Sequence, residues 1–195
     1  TNSNGVDLGS GEGLQLTPSL VAVGDALTCT ASGVDPHGDS ASADASVTVT
    51  NTFPGVEVDA VITGVATTTG TLTCSATFND LNDGGLEPSY EWRRSDGTVL
   101  GNADTYVVTA VETDVGDALT CTATVTDAHG ATVGSSASVT VENTAPTLSD
   151  VSLSPDPLAS TDSLTCTVGA TSDIDEDAVV LSYAWEVDAT PRTEA

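Results

Sequence analysis

The sequence predicts an all-β protein made of tandem β-sandwich repeats of about 92 residues. Three observations carry that expectation. Long strings recur at a fixed offset, apolar and polar residues alternate with a period of two, and Cys and Trp recur in a fixed order.

The repeat sets the boundaries. Val23-Gly24-Asp25-Ala26-Leu27-Thr28-Cys29-Thr30-Ala31 returns letter for letter as Val115-Gly116-Asp117-Ala118-Leu119-Thr120-Cys121-Thr122-Ala123, 92 positions later. Ala45–Val49 returns as Ala137–Val141, Asn51-Thr52 as Asn143-Thr144, and Leu72-Thr73-Cys74 as Leu164-Thr165-Cys166, all at the same offset. Ser89-Tyr90-Glu91-Trp92 matches Ser182-Tyr183-Ala184-Trp185 at an offset of 93, so one residue is inserted between the two matches. Residues 51–142 therefore read as one complete unit, residues 1–50 as the C-terminal half of a unit, and residues 143–195 as the N-terminal half of a further one. By this alignment Thr1 corresponds to Arg93, and Ala195 lies beyond Trp185.

Within a unit the pattern is that of half-buried antiparallel strands. Leu72, Cys74, Ala76 and Phe78 alternate with Thr73, Ser75 and Thr77; Leu119, Cys121, Ala123 and Val125 alternate with Thr120, Thr122, Thr124 and Thr126; Val139 and Val141 alternate with Thr140 and Glu142. Thr and Val suit a pleated surface with one wet face. Asn82-Asp83-Gly84-Gly85, Ser95-Asp96-Gly97 and Ala128-His129-Gly130 supply turns. No stretch has helical periodicity.

The cysteines select among all-β folds. Cys74 falls on an early strand, Trp92 on the next and Cys121 on a late one. A Cys…Trp…Cys order of this kind places a sheet-bridging disulfide against a buried indole, as in an immunoglobulin sandwich, so the fold class expected is all-β with tandem immunoglobulin-like β-sandwich repeats. Trp185 is expected to play the core role of Trp92 in the next unit. The alternative, four independent buried thiols in a reducing compartment, accounts less well for two Cys at inward positions of facing strands. Leu119 stands where antibody-type domains carry the Tyr of the tyrosine corner.

Cys29 lacks an early-strand partner and Cys166 a late-strand one. Either they pair with residues outside this chain in a longer array, or identical chains stack head to tail and Cys29 bonds Cys166 of a neighbouring copy through an open, heterologous contact. The longer array is favoured, because repeats of this kind commonly run in series. In both cases neither half is expected to fold alone.

Composition bounds the partners. The net charge is −26, from 29 acidic residues against 3 Arg and no Lys. That field repels nucleic acid and anionic membrane surfaces and favours cations or basic partners. Hydrophobic residues make up 38%, more than a solvated acidic tail carries. No apolar run is long enough to span a bilayer, so no membrane insertion is expected in this segment. Thr1-Asn2-Ser3-Asn4-Gly5 shows neither a basic start nor an apolar core, so any secretory leader is expected to lie elsewhere.

Asn143-Thr144-Ala145-Pro146, Asp162-Ser163-Leu164-Thr165-Cys166-Thr167 and Tyr183-Ala184-Trp185-Glu186-Val187-Asp188 resemble repeats of very large bacterial surface proteins, which carry immunoglobulin-like, cadherin-like or PKD-like modules in tandem. The resemblance covers the whole chain. It implies an extracellular or cell-surface role in adhesion, fibre building or spacing, with neighbouring repeats as partners and no catalytic residues.

The candidate chemistry lies in the loops. In such a sandwich the loops after the early and late Cys strands share one pole. The first carries Asp80, Asn82 and Asp83, with Asp173, Asp175, Glu176 and Asp177 in the next unit; the second carries Asp127, matched by Asp35 one unit earlier. Asp80, Asn82, Asp83, Asp127, Asp173, Asp175, Asp177 and Asp35 are thus candidate Ca²⁺ ligands, since that hard cation takes six to eight oxygens. Asp173-Ile174-Asp175-Glu176-Asp177 starts like an EF-hand loop, but Ala178 replaces the required Gly and Ala184 the bidentate Glu. Ordinary acidic turns are the competing reading. His37 and His129 sit in equivalent Asp-x-x-Gly turns and read as turn residues. Arg93 is expected to pair with a surface acid. No nucleophile motif, phosphate loop or Asn-x-Ser/Thr sequon is present. A structural or adhesive array is preferred over a carbohydrate- or protein-binding module and over an accessory region of a secreted enzyme.

Overall fold

The computed structural model describes residue 5, residues 7–188 and residues 190–192, the last three by backbone alone. Thr1 and Ala195, which end the repeat alignment, and Asn2, Ser3 and Asn4 of the leader reading lie outside the described residues. Among those described every regular element is a strand, so the fold is all-β.

The centre of the chain forms two facing sheets. Its strands are numbered after an N-terminal ribbon, β1 (Ala26–Val34) and β2 (Ser40–Thr48). They are β3 (Gly55–Gly64), β4 (Thr71–Asp80), β5 (Gly84–Leu86), β6 (Ser89–Arg94), β7 (Val99–Gly101), β8 (Thr105–Val107), β9 (Ala118–Thr126) and β10 (Thr132–Thr140). One sheet has the order β10–β9–β6–β7; in the other, β4 pairs with β3, β5 and β8. β3 also reaches the opposite sheet: Ala60 donates its N–H to Ser135 Oγ on β10 at 3.0 Å, across register shifts at Val56/Val58 and Val58/Val61. At the end of β3 only glycine fits, because Gly64 has φ +115° and a Cβ there would meet Thr71 O at 2.1 Å.

The core lies between these sheets and follows the alternation of the sequence. Leu72, Cys74, Ala76 and Phe78 of β4 are buried, as are Leu119, Cys121, Ala123 and Val125 of β9, while the Thr and Ser between them face outward or lie part-covered. Cys74 and Cys121 are disulfide-bonded, with Cα atoms 6.4 Å apart. Trp92 sits directly opposite Cys121 in the β6–β9 ladder and is fully buried. Its indole N–H donates to Ala103 O at 3.0 Å, and its ring lies 5.9 Å from that of Tyr106. Leu72, Val108, Leu119 and Val141 close the cluster around them. Below it a second cluster is made of Ala60, Ala76, Phe78, Ala123 and Val125, small side chains for the most part.

Beyond the two sheets the described residues form only two-stranded ladders. β11 (Thr147–Leu148) pairs with β14 (Thr171–Ser172), β12 (Val151–Ser154) with β13 (Thr165–Val168), and β15 (Trp185–Val187) with β16 (Thr190–Arg192). Trp185 departs from the core role expected for it: it is half-buried and belongs to no core cluster among the described residues. No described strand stands over Trp185 as β9 stands over Trp92. Cys29 and Cys166 are both free, the first exposed and the second half-buried.

Candidate functional site

The alternation that buries the core also buries two carboxylates at one pole. Asp80 continues the inward series Leu72, Cys74, Ala76, Phe78, and Asp127 continues Leu119, Cys121, Ala123, Val125; they are 2% and 6% exposed. Each caps the turn that follows it. Asp80 Oδ1 accepts the N–H groups of Asn82 (2.8 Å) and Asp83 (3.1 Å), and Asp127 Oδ1 those of His129 (2.9 Å) and Ala131 (2.8 Å). His129 is thus a turn residue.

The chain entering the unit is clasped between these two turns. Asn51 Nδ2 donates to Asp127 Oδ2 at 2.8 Å, and Asn51 Oδ1 accepts from Asn82 Nδ2 at 3.1 Å. Asn82 Oδ1 in turn accepts the N–H and the hydroxyl of Thr52, and Asp83 Oδ2 accepts the Ala128 N–H at 3.1 Å. Asp80 Oδ2 is buried with no partner. The Asn51 amide is the main cause holding the Asp127 carboxyl below the usual carboxylate range; burial opposes it, and the N–H groups of Ala131 and His129 assist it.

The eight candidate calcium ligands divide among several places. Asp80, Asn82, Asp83 and Asp127 meet at this pole. Asp173 and Asp175 stand at the next junction, where Asp173 Oδ1 accepts the Asp175 N–H at 2.8 Å and Asp175 Oδ2 accepts the Thr144 N–H at 2.6 Å. The Thr68 hydroxyl, then that N–H, lowers the pKa of Asp175. Asp177 is exposed, and Asp35 Oδ1 caps its own turn by accepting the His37 and Asp39 N–H groups, both at 2.9 Å. Among the described residues no three His, Cys, Asp or Glu side chains are grouped to hold a metal ion. At the pole the Asn51 amide donates to Asp127 and the Asn82 amide to Asn51, so hydrogen bonds within the protein already engage these side chains. The arrangement is a hydrogen-bonded clasp, with Asp80 Oδ2 left over. The melting temperature is expected to be the same in excess calcium and in chelator; a rise of several degrees with calcium would show that the folded chain binds the ion.

Arg93 and Arg94 are taken up elsewhere. Arg93 pairs with Glu91 at 2.5 Å; Arg94 pairs with Asp96 at 2.5 Å and reaches Asp117 at 3.9 Å. The Arg94 bond, with N–H and hydroxyl support from Thr98, holds the Asp96 carboxyl well below its usual range.

Tyr106 was not expected as a structural residue. It stands on β8, is 7% exposed, and donates its hydroxyl to Glu112 Oε2 at 3.2 Å, which ties the strand to the loop before β9. Burial first, then Glu112, pushes the phenol up to about 12. Its one sequence signal is its place as an aromatic between Thr105 and Val107.

The clasp makes a pH prediction. Asp127 has a folded pKa below its unfolded value, so its stabilisation is present above the unfolded pKa and is lost as pH falls through the folded one. The difference in melting temperature between wild type and Asp127→Asn is expected to be constant above about pH 5 and to shrink below about pH 4. Calorimetry across that range checks it; a difference independent of pH removes the carboxylate from the clasp.

No family model, no curated protein and no solved structure matches this chain.

Proposed function

We propose that the chain is a structural and adhesive module, a stretch of tandem immunoglobulin-like β-sandwich repeats belonging to an extracellular or cell-surface stalk, fibre or filament. The observation that carries this reading is the disulfide-bridged, Trp-centred unit between two partial copies of itself. Its strand orders, β10–β9–β6–β7 facing β4 with β3, β5 and β8, are compatible with an immunoglobulin-like sandwich. The Cys74–Cys121 bridge favours an oxidising compartment. A clasp at the entry to a unit, made wholly of hydrogen bonds, stiffens a junction; that is a mechanical task, and this reading assigns no catalytic one.

The test is cellular. Antibodies to this chain are expected to label intact producing cells as strongly as permeabilised ones, and deletion of its coding segment is expected to shorten surface fibres or reduce attachment. Labelling confined to permeabilised cells would overturn the reading.

A further inference from the structure

The joint after the central unit repeats the joint before it with one exchange. Asp173 Oδ1 accepts the Asp175 N–H at 2.8 Å, as Asp80 Oδ1 accepts that of Asn82 at 2.8 Å. The turn residue then takes the N–H of the linker Thr: Asn82 Oδ1 takes that of Thr52 at 3.2 Å, and Asp175 Oδ2 that of Thr144 at 2.6 Å. Asp175 thus stands where Asn82 stands, and its bond is the shorter one, as a charged acceptor makes it. A carboxylate has no amide N–H to give. The bond from Asn82 Nδ2 to Asn51 Oδ1 therefore has no counterpart among the described residues, and Asn143 Nδ2 donates to Thr144 O at 3.1 Å instead.

The central unit supplies the other half of this joint from the loop of residues 65–70. Glu142 donates its N–H to Ala66 O at 2.7 Å. Thr68 is 8% exposed although it lies in a loop, and its hydroxyl faces the Asp175 carboxylate. The shape of the loop is over-determined. Thr69 N–H donates to Val108 O at 2.8 Å, Val108 N–H donates to Gly70 O at 2.9 Å, and between them Thr69 is held at φ +70°, costly for a β-branched residue. Asp175 Oδ1 and Thr144 Oγ1 are buried with no partner. The charge of Asp175 therefore leans on the Thr144 N–H and the Thr68 hydroxyl, the first from the linker and the second from the central unit.

We propose that this joint is an acid-released latch, in which the ionised Asp175 side chain holds the linker 142–144 and the segment after it against loop 65–70 and lets them part when it is protonated. Naming that segment a further unit rests on the tandem-sandwich reading above; the latch adds how the joint responds to pH. A carboxylate is a stronger acceptor than a carboxylic acid, and a protonated Asp175 brings a donor of its own into the joint. The Thr68 hydroxyl first, then the Thr144 N–H, lowers its pKa against burial. The latch therefore holds above the ordinary aspartate value of about 3.9 and weakens as pH falls through the lower, latched one. Among the described residues no cation contributes. Loop 65–70 carries no charge, Glu112 behind Val108 bonds Tyr106 and Thr109, and Arg93 and Arg94 pair with Glu91, Asp96 and Asp117. The charges beside Asp175 along the chain are all acidic: Asp173, Glu176 and Asp177, with Glu142 on the linker. At the entry joint Thr52 bonds Asn82, which does not titrate, so that bond is indifferent to acid.

The experiment uses the protein at the length its cells make. It reads hydrogen exchange of the Glu142 and Thr144 amides, each relative to its intrinsic rate, between about pH 7 and about pH 3. Protection in the wild type is expected to hold down to about pH 5 and then to fall several-fold. Asp175→Asn, which copies Asn82, keeps an acceptor with no proton to take, and its protection is expected to change less than about twofold across the range. Thr68→Val removes the hydroxyl at nearly constant size and is expected to lower protection at least about tenfold at neutral pH. Wild-type protection that is flat with pH, an Asp175→Asn variant that falls as far as wild type, or a Thr68→Val variant as protected as wild type each overturns the latch. The amides of β4 and β9 and the Cys74–Cys121 bridge tell two failures apart. With both intact the latch fails alone; with free exchange there and no bridge, the sandwich reading fails with it.

Discussion

Replacing Cys74 and Cys121 together by Ala is expected to lower the melting temperature of the central unit by about 15–30 °C. The bridge closes a separation of 47 residues, for which the loop-entropy account gives about 4 kcal/mol. In a unit of roughly this size each kcal/mol moves the midpoint by about 4–8 °C. Both thiols are removed at once so that no unpaired reactive sulfur remains. Two features make the bridge weigh heavily here. The lower core cluster is built mainly from Ala and Val, whose burial contributes little per residue, and the strands beside it are rich in Thr whose hydroxyls stay wet. Calorimetry of the oxidised wild type against the double variant reads the effect. A shift under about 5 °C would mean that the sheets hold together without the staple.

The strands that matter most for this core were legible because their signal is local. Period-two alternation puts Leu72, Cys74, Ala76 and Phe78 on one face wherever the strand lies, and the structure buries all four. The same rule, carried two residues further, points Asp80 and Asp127 inward. The clasp on Asp127 was not legible. It depends on Asn51, 76 residues away, reaching a turn whose position the paired sheets fix. Nor was the path of β3 legible, since its two register shifts answer to packing against β10 rather than to any turn residue. Trp185 shows the limit of a repeat argument. Copying a residue transfers its propensity and its strand, but its burial comes from partners that the copied segment does not contain.

That limit makes the last prediction sharp. Trp92→Ala is expected to destabilise the central unit by about 3–5 kcal/mol, whereas Trp185→Ala leaves the melting of that unit within about 0.5 kcal/mol of wild type. The two residues stand in matched strings, Ser89-Tyr90-Glu91-Trp92 and Ser182-Tyr183-Ala184-Trp185, so intrinsic preferences cancel in the comparison. What differs is environment. Trp92 is fully enclosed by Leu72, Val108, Leu119 and the disulfide, and its N–H has Ala103 O as partner. Removing the indole leaves a cavity that rigid neighbours on both sheets cannot collapse into, and takes the donor from the Ala103 carbonyl. Trp185 has one side open to solvent, so its truncation removes little from the folded monomer. Chemical denaturation followed by far-ultraviolet circular dichroism, which does not depend on either indole, compares the two variants directly. Equal losses at both positions would mean that Trp185 is as fully covered as Trp92, which would contradict its half-buried state.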